Sequence, residues 1–325
     1  MQPSPRWREL QQERLAEAAR VLGGIPGVHG LLLGGSLGRG EPWPMSDIDL
    51  LPVYDGDPAA VAARVEERRA ELVDWWAASG RAQTLDIGRL AFIADEAREA
   101  VGSGPGWAVR RLLADPRWFH GLDKAYRGRA VVAADGLAGE FAGWIEATRF
   151  TPAVVAARVG RWCELAAEAC QRARAARESG ELAEATYQVR EAARALRHVA
   201  LEGWGERLGS MGREWTRFER MADAHGRRDL ADRIARAAGA DPESAARREP
   251  LAPGWLRERI ELYWAARQAV GEKVTPRQNA RDQLAAFAVH IARRRPDLAG
   301  PWTGSPDPRL AERLADLDAL RAELG

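Results

Sequence analysis

Asp47 and Asp49 stand one residue apart, and ten residues separate Asp47 from Ser36 in the segment Gly34-Gly35-Ser36-Leu37-Gly38-Arg39-Gly40. On a strand, alternate side chains share a face, so the two aspartates point the same way while Ile48 and Leu50 enter the core. Carboxylates held that close repel and raise each other's pKa unless a cation sits between them, and Mg²⁺ is a hard cation that takes oxygen ligands of this kind. The glycine-rich turn offers backbone N–H groups and lets a phosphate approach without a Cβ in the way. The Ser36 hydroxyl can donate to a phosphate oxygen. Arg39 can add charge-assisted bonds, a role that stands level with plain solvation of the loop. Metal ligands beside an anion cradle suit phosphoryl or nucleotidyl transfer. A third carboxylate belongs on a neighbouring strand, and Asp86, flanked by Leu85 and Ile87 in an apolar stretch, is the candidate, since an unpaired aspartate buried there asks for a cation.

These residues need elements to hold them. An amphipathic helix is expected over 7–22, strands over 28–33 and 47–54, a helix over 58–79, a strand over 82–93 and a short strand over 129–134. Together they predict an α+β domain, a small mixed sheet with helices, over 1–145. From Phe141 onward the composition turns to Ala, Arg, Glu and Leu in long periodic segments. Helices are expected over 153–178, 181–207, 211–224, 228–238, 254–271, 276–294 and 308–323, giving an all-α bundle over 146–325.

Gly35-Ser36, a ten-residue spacer, then Asp47-Ile48-Asp49 resembles the signature of the DNA polymerase β-type nucleotidyltransferase superfamily. The likeness covers roughly residues 25–95, with a weaker echo in Val131-Val132-Ala133-Ala134-Asp135-Gly136. It implies that Gly35 and Ser36 hold a triphosphate and that Asp47 and Asp49 bind two Mg²⁺ ions. It also implies that Asp86 completes the metal site or deprotonates the acceptor. A domain of this kind followed by a helical bundle is similar to the aminoglycoside and lincosamide nucleotidyltransferases, whose helical part completes the acceptor pocket. The implied activity is transfer of a nucleoside monophosphate, usually AMP from ATP, to a hydroxyl of a small-molecule acceptor such as an aminoglycoside-like antibiotic, with release of pyrophosphate. A protein acceptor, as in toxin–antitoxin pairs, and a non-catalytic nucleotide-binding module stay open beside it.

The rest of the chain narrows the field. There is no G-x-G-x-x-G, G-K-[ST] or H-E-x-x-H. A formal net charge of +1 gives no long-range field to commit the protein to DNA, RNA or an anionic membrane. It is divided unevenly: 17 basic and 20 acidic residues over 1–145, 31 and 27 beyond. The arginine clusters at 172–177, 190–197 and 293–295 are expected to be solvated helix faces. No apolar run reaches membrane-span length and no signal peptide is visible, so the chain is expected in the cytoplasm. Only Lys124 and Lys273 are lysines. His29 is expected to be a satisfied structural group. The tryptophans predicted on helices, Trp75, Trp76, Trp144, Trp162, Trp204, Trp215, Trp255 and Trp264, are expected in the core. Trp43, between Pro42 and Pro44, is either a base-stacking shield or a hydrophobic plug.

Overall fold

The computed structural model of the chain describes residues 4–80, 82–87, 90–209 and 212–325. The protein is mixed α/β and mostly helical, with a small mixed sheet of five strands. It divides into two compact units, the described residues through Ala157 and Arg158–Gly325. The division falls inside a helix, whereas the expected boundary stood at 145/146.

The first unit comprises α1 (Trp7–Gly23), β1 (Val28–Leu33), the single turn α2 (Gly35–Gly38), β2 (Ile48–Tyr54), α3 (Pro58–Ala78), β3 (Leu85–Ile87), β4 (Phe92–Ile93), α4 (Ala94–Val101), α5 (Pro105–Ala114), α6 (Pro116–Ala125), β5 (Arg129–Ala133), α7 (Leu137–Arg149) and the start of α8 (Pro152–Glu178). The sheet order is β3-β2-β1-β5, with β1 antiparallel to β2 and β5. The segment expected as one strand over 82–93 is two short pieces, both parallel to β2, β3 at its start and β4 at its end; Gly88 and Arg89 lie outside the described residues. All seven residues of β2 are buried, as its near-continuous apolar run dictates. Leu31, Leu33, Ile48 and Leu50 pack with Leu15, Ala18 and Leu22 of α1 and Val61, Val65, Leu72 and Trp76 of α3. Phe92, Trp107, Trp118, Phe141 and Trp144 interlock mostly edge to face, the favoured aromatic geometry.

The second unit, the remainder of α8 with α9 (Leu182–Trp204), α10 (Glu214–Ala224), α11 (Arg228–Ala237), α12 (Pro242–Arg248), α13 (Gly254–Ala269), α14 (Pro276–Arg294) and α15 (Leu310–Leu324), has no strand among its described residues. Residues 210 and 211, where a helix was expected to begin, lie outside the described residues, and α10 starts at Glu214. Alanines of α8, α9 and α11 let the helices approach closely around Leu196, Leu201, Phe218, Leu230, Ile234 and Leu317. No helix among the described residues is long and apolar enough to cross a membrane.

Two expectations fail here. Trp75 is 61 % exposed and Trp255 40 %, while Trp76 and Trp215 are buried as expected. Adjacent residues on a helix point about 100° apart, so only one of the pair Trp75-Trp76 can face the core. The arginines of the 190–197 cluster are not a solvated face either: Arg190 and Arg197 are buried. Charge alone told nothing of their partners, and Arg197 finds Glu214 at 3.3 Å and the face of Trp215.

Candidate active site

The parallel register of β2 and β3 sets Asp49 directly beside Asp86. In that register paired side chains leave the sheet on one face, so the two carboxylates meet. Asp47, which directly precedes β2, joins them. Between the first two stands a residue that sequence reasoning missed. Lys124, in the last turn of α6, places Nζ 2.7 Å from Asp49 Oδ1 and 3.1 Å from Asp86 Oδ2. Burial works against its charge, yet Asp49 and Asp86 outweigh that cost and hold the ammonium above the ordinary lysine pKa. Asp47 is shifted the other way for an acid: crowding by protein raises its carboxyl above the usual range, the Asp49 charge adds to the rise, and Lys124 and a bond from Thr84 offset part of it.

Two adjacent glycines make this arrangement possible, each for its own reason. A Cβ at Gly34 would lie 2.6 Å from the Lys124 carbonyl oxygen, so only glycine lets the end of α6 come down on the end of β1. Gly35 has φ +61°, and a Cβ there would lie 1.7 Å from Asp49 Oδ2. It meets both demands, left-handed backbone and close approach. The Gly34 amide donates to the Asp49 carbonyl at 2.9 Å, which ties the turn to β2.

The turn expected to cradle phosphate is therefore a one-turn helix packed against Asp49. Ser36 is buried and its hydroxyl donates to Ser46 Oγ at 2.7 Å. The Arg39 side chain is 5 % exposed, with Nε 3.8 Å from Glu41 Oε2, so plain solvation is not its role. Trp43 is buried, 1 % exposed, which corrects the stacking alternative in favour of the plug. The loop it sits in is tied from outside: Gln11 Nε2 donates to the Trp43 carbonyl at 2.9 Å and Gln83 Nε2 to the Ser46 carbonyl at 2.8 Å. His29 Nε2 lies 2.8 Å from Asp135 Oδ1, a structural pairing at the far end of β1.

The structure thus gathers Asp47, Asp49 and Asp86 at one end of the sheet with Gly35 against them, and seats Ser36 and Arg39 within the protein's own bonds. The signal that could have found Lys124 was its rarity: where nearly every base is arginine, one of two lysines ends a helix opened by Asp115-Pro116, an N-cap followed by proline at the first helical position.

As a donor set, three carboxylates, two already sharing one cation, suit a hard divalent ion. In this structure Lys124 is the cation they hold, and among the described residues no three His, Cys, Asp or Glu side chains close into a metal cage. Compared with known protein families, curated proteins and solved structures, the chain matches none.

Proposed function

We propose that the protein is a Mg²⁺-dependent nucleotidyltransferase that moves a nucleoside monophosphate from a nucleoside triphosphate, ATP being the first choice, to a hydroxyl of a small-molecule acceptor. On this reading the first unit is the α+β transferase domain and the second a helical domain serving the acceptor. One observation carries it: Asp49 and Asp86 lie in register on neighbouring strands, Asp47 adjoins them, and a glycine turn that tolerates no Cβ touches the most buried of the three.

Asp47, Asp49 and Asp86 would hold the metal, whose chemistry is to neutralise phosphate charge and favour the leaving group. The carboxylates divide the remaining work by exposure. Asp49, with 11 % of its side chain exposed, is fixed between Lys124 and Gly35 and suits a ligand. Asp86, 45 % exposed, is reachable from outside and accepts the proton of the acceptor hydroxyl. The hydroxyl oxygen then bonds to the α-phosphorus, the bond from that phosphorus to the bridging oxygen breaks, and pyrophosphate leaves with the electron pair. Lys124 lessens the repulsion between Asp49 and Asp86. On this reading the glycine turn takes the triphosphate, with Ser36 and Arg39, in this structure held by Ser46 and beside Glu41, as its side-chain donors.

The test is pyrophosphate release with Mg²⁺ and each of the four nucleoside triphosphates, against aminoglycosides, lincosamides and a cell extract. Asp49→Ala should bring release to the blank while preserving the circular dichroism spectrum. Wild-type activity in Asp49→Ala would remove the assignment. Release with extract alone, and label retained on protein, would move the acceptor from a small molecule to a polypeptide.

A further inference from the structure

The second unit buries many arginines, and most meet a carboxylate: Arg158 with Glu202 at 2.6 Å, Arg267 with Asp282 at 2.6 Å, Arg281 with Glu219, Arg213 with Glu272 at 3.4 Å and Arg313 with Asp307 at 3.5 Å. Arg190 and Arg248 differ. Arg190 Nη2 donates to the Gly304 carbonyl at 2.6 Å, and Arg248 Nη1 to the carbonyls of Gly239 at 3.1 Å and Thr303 at 3.4 Å. Neither has a carboxylate within ion-pair distance among the described residues. Arg248, 5 % exposed, also leaves Nε and Nη2 enclosed without a hydrogen-bond partner.

The two guanidiniums are neighbours. Gly304, at φ +65°, comes so close to both that a Cβ there would lie 2.8 Å from Arg248 Cδ and 3.2 Å from Arg190 Nη2. Burial draws the Arg190 pKa down to about 10; burial, then the charge of Arg190, draws Arg248 down to about 9. Asp307 acts on both, and Asp241 on Arg248, from beyond contact distance. The oxygens of Asp307 serve the Arg309 amide and Arg313, and those of Asp241 serve Ser244 at the start of α12. Two adjacent buried cations with only carbonyls in contact are costly to hold.

Both line a cavity of about 520 Å³, whose other walls include Leu251, Pro301, Pro306 and Asp307. That volume is in the range of small-molecule sites, and the combination of apolar walls with a few charged groups is their usual composition. We propose that this cavity binds a small organic oxyanion, a phosphate or carboxylate carried on an apolar body, with Arg190 and Arg248 as its counter-ions. The site lies wholly within the second unit and does not depend on the reading of the aspartate cluster.

Isothermal titration of the full chain with phenyl phosphate, benzoate and benzyl alcohol tests it. Phenyl phosphate or benzoate should bind, whichever is tighter naming the headgroup, and benzyl alcohol should not. Arg248→Met and Arg190→Met should each weaken the anion roughly tenfold or more, the scale of a lost charge-assisted bond. Leu251→Glu, at an exposed wall position that the fold does not need, should weaken it by repulsion and keeps the test open if a buried variant fails to fold. The proposal falls if neither anion binds, if benzyl alcohol binds as well as they do, or if binding survives all three cavity substitutions.

Discussion

At the end of the sheet, three carboxylates gather and two of them share one ammonium; in the helical unit, two guanidiniums stand together with only carbonyls in contact. The first centre has acid to spare and the second has base to spare, which matches the uneven division of charge along the chain. Elsewhere in the helical unit the Arg267–Asp282 pair, both side chains fully buried, closes charge on itself. Asp282 also accepts from the Trp215 and Thr216 amides and the Thr216 hydroxyl, so it caps the start of α10 as well. Buried charge matched within the protein is architecture. Buried charge left over is where a ligand finds its complement.

Three substitutions measure that contrast. The largest effect is expected from Asp282→Ala, which leaves Arg267 the more distant Glu272 carboxylate, at 3.5 Å, and uncaps α10; breaking a buried pair costs about 3–5 kcal/mol, and chemical denaturation should show it. A cost under about 1 kcal/mol would mean that the pair is no different from a surface bridge. A smaller loss is expected for Lys124→Met, about 1–3 kcal/mol, because it leaves Asp49 facing Asp86 with nothing between. Millimolar Mg²⁺ should restore more of the melting temperature in this variant than it adds to wild type; no difference in the Mg²⁺ response would mean that the carboxylates do not take a divalent ion.

The smallest effect belongs to Asp47→Asn, and its sign is set by pH. A carboxyl whose folded pKa is raised binds its proton more tightly in the folded state, so at neutral pH its charge opposes folding. Asparagine removes that opposition, and the variant should melt slightly higher than wild type near pH 7. The advantage should fade as pH drops through the raised Asp47 pKa toward the ordinary aspartate range. A melting-temperature difference that does not change with pH would trace the gain to packing instead.

Much of the frame was legible in the residues. β1, β2, α3 and the long helices follow apolar period, and the Asp47, Asp49 and Asp86 set follows from alternation on two strands. What escaped was written in shorter or non-local signals. Helices α4 to α6 are eight to ten residues long, too short for periodicity to speak, although Asp115-Pro116 and Gly104-Pro105 mark two of their starts. Lys124 lies 38 residues from Asp86, and no local pattern joins them. The 190–197 run misled because an arginine run reads as a solvated face until its partners, Glu214 for Arg197 and the Gly304 carbonyl for Arg190, arrive from elsewhere in the chain.

The ten-residue spacer between Ser36 and Asp47 has a physical meaning as well. Ser36 and the Trp43 amide both donate to Ser46 Oγ, and Gln11 and Gln83 anchor the carbonyls of Trp43 and Ser46. The segment is thus a ring fastened at both ends and clipped to its surroundings, and its circumference is fixed. An added or deleted residue would have to bulge against the buried Trp43 or break the fastening. The distance that makes the motif recognisable is then the perimeter of a closed loop, a dimension of the fold rather than a gap between two signals.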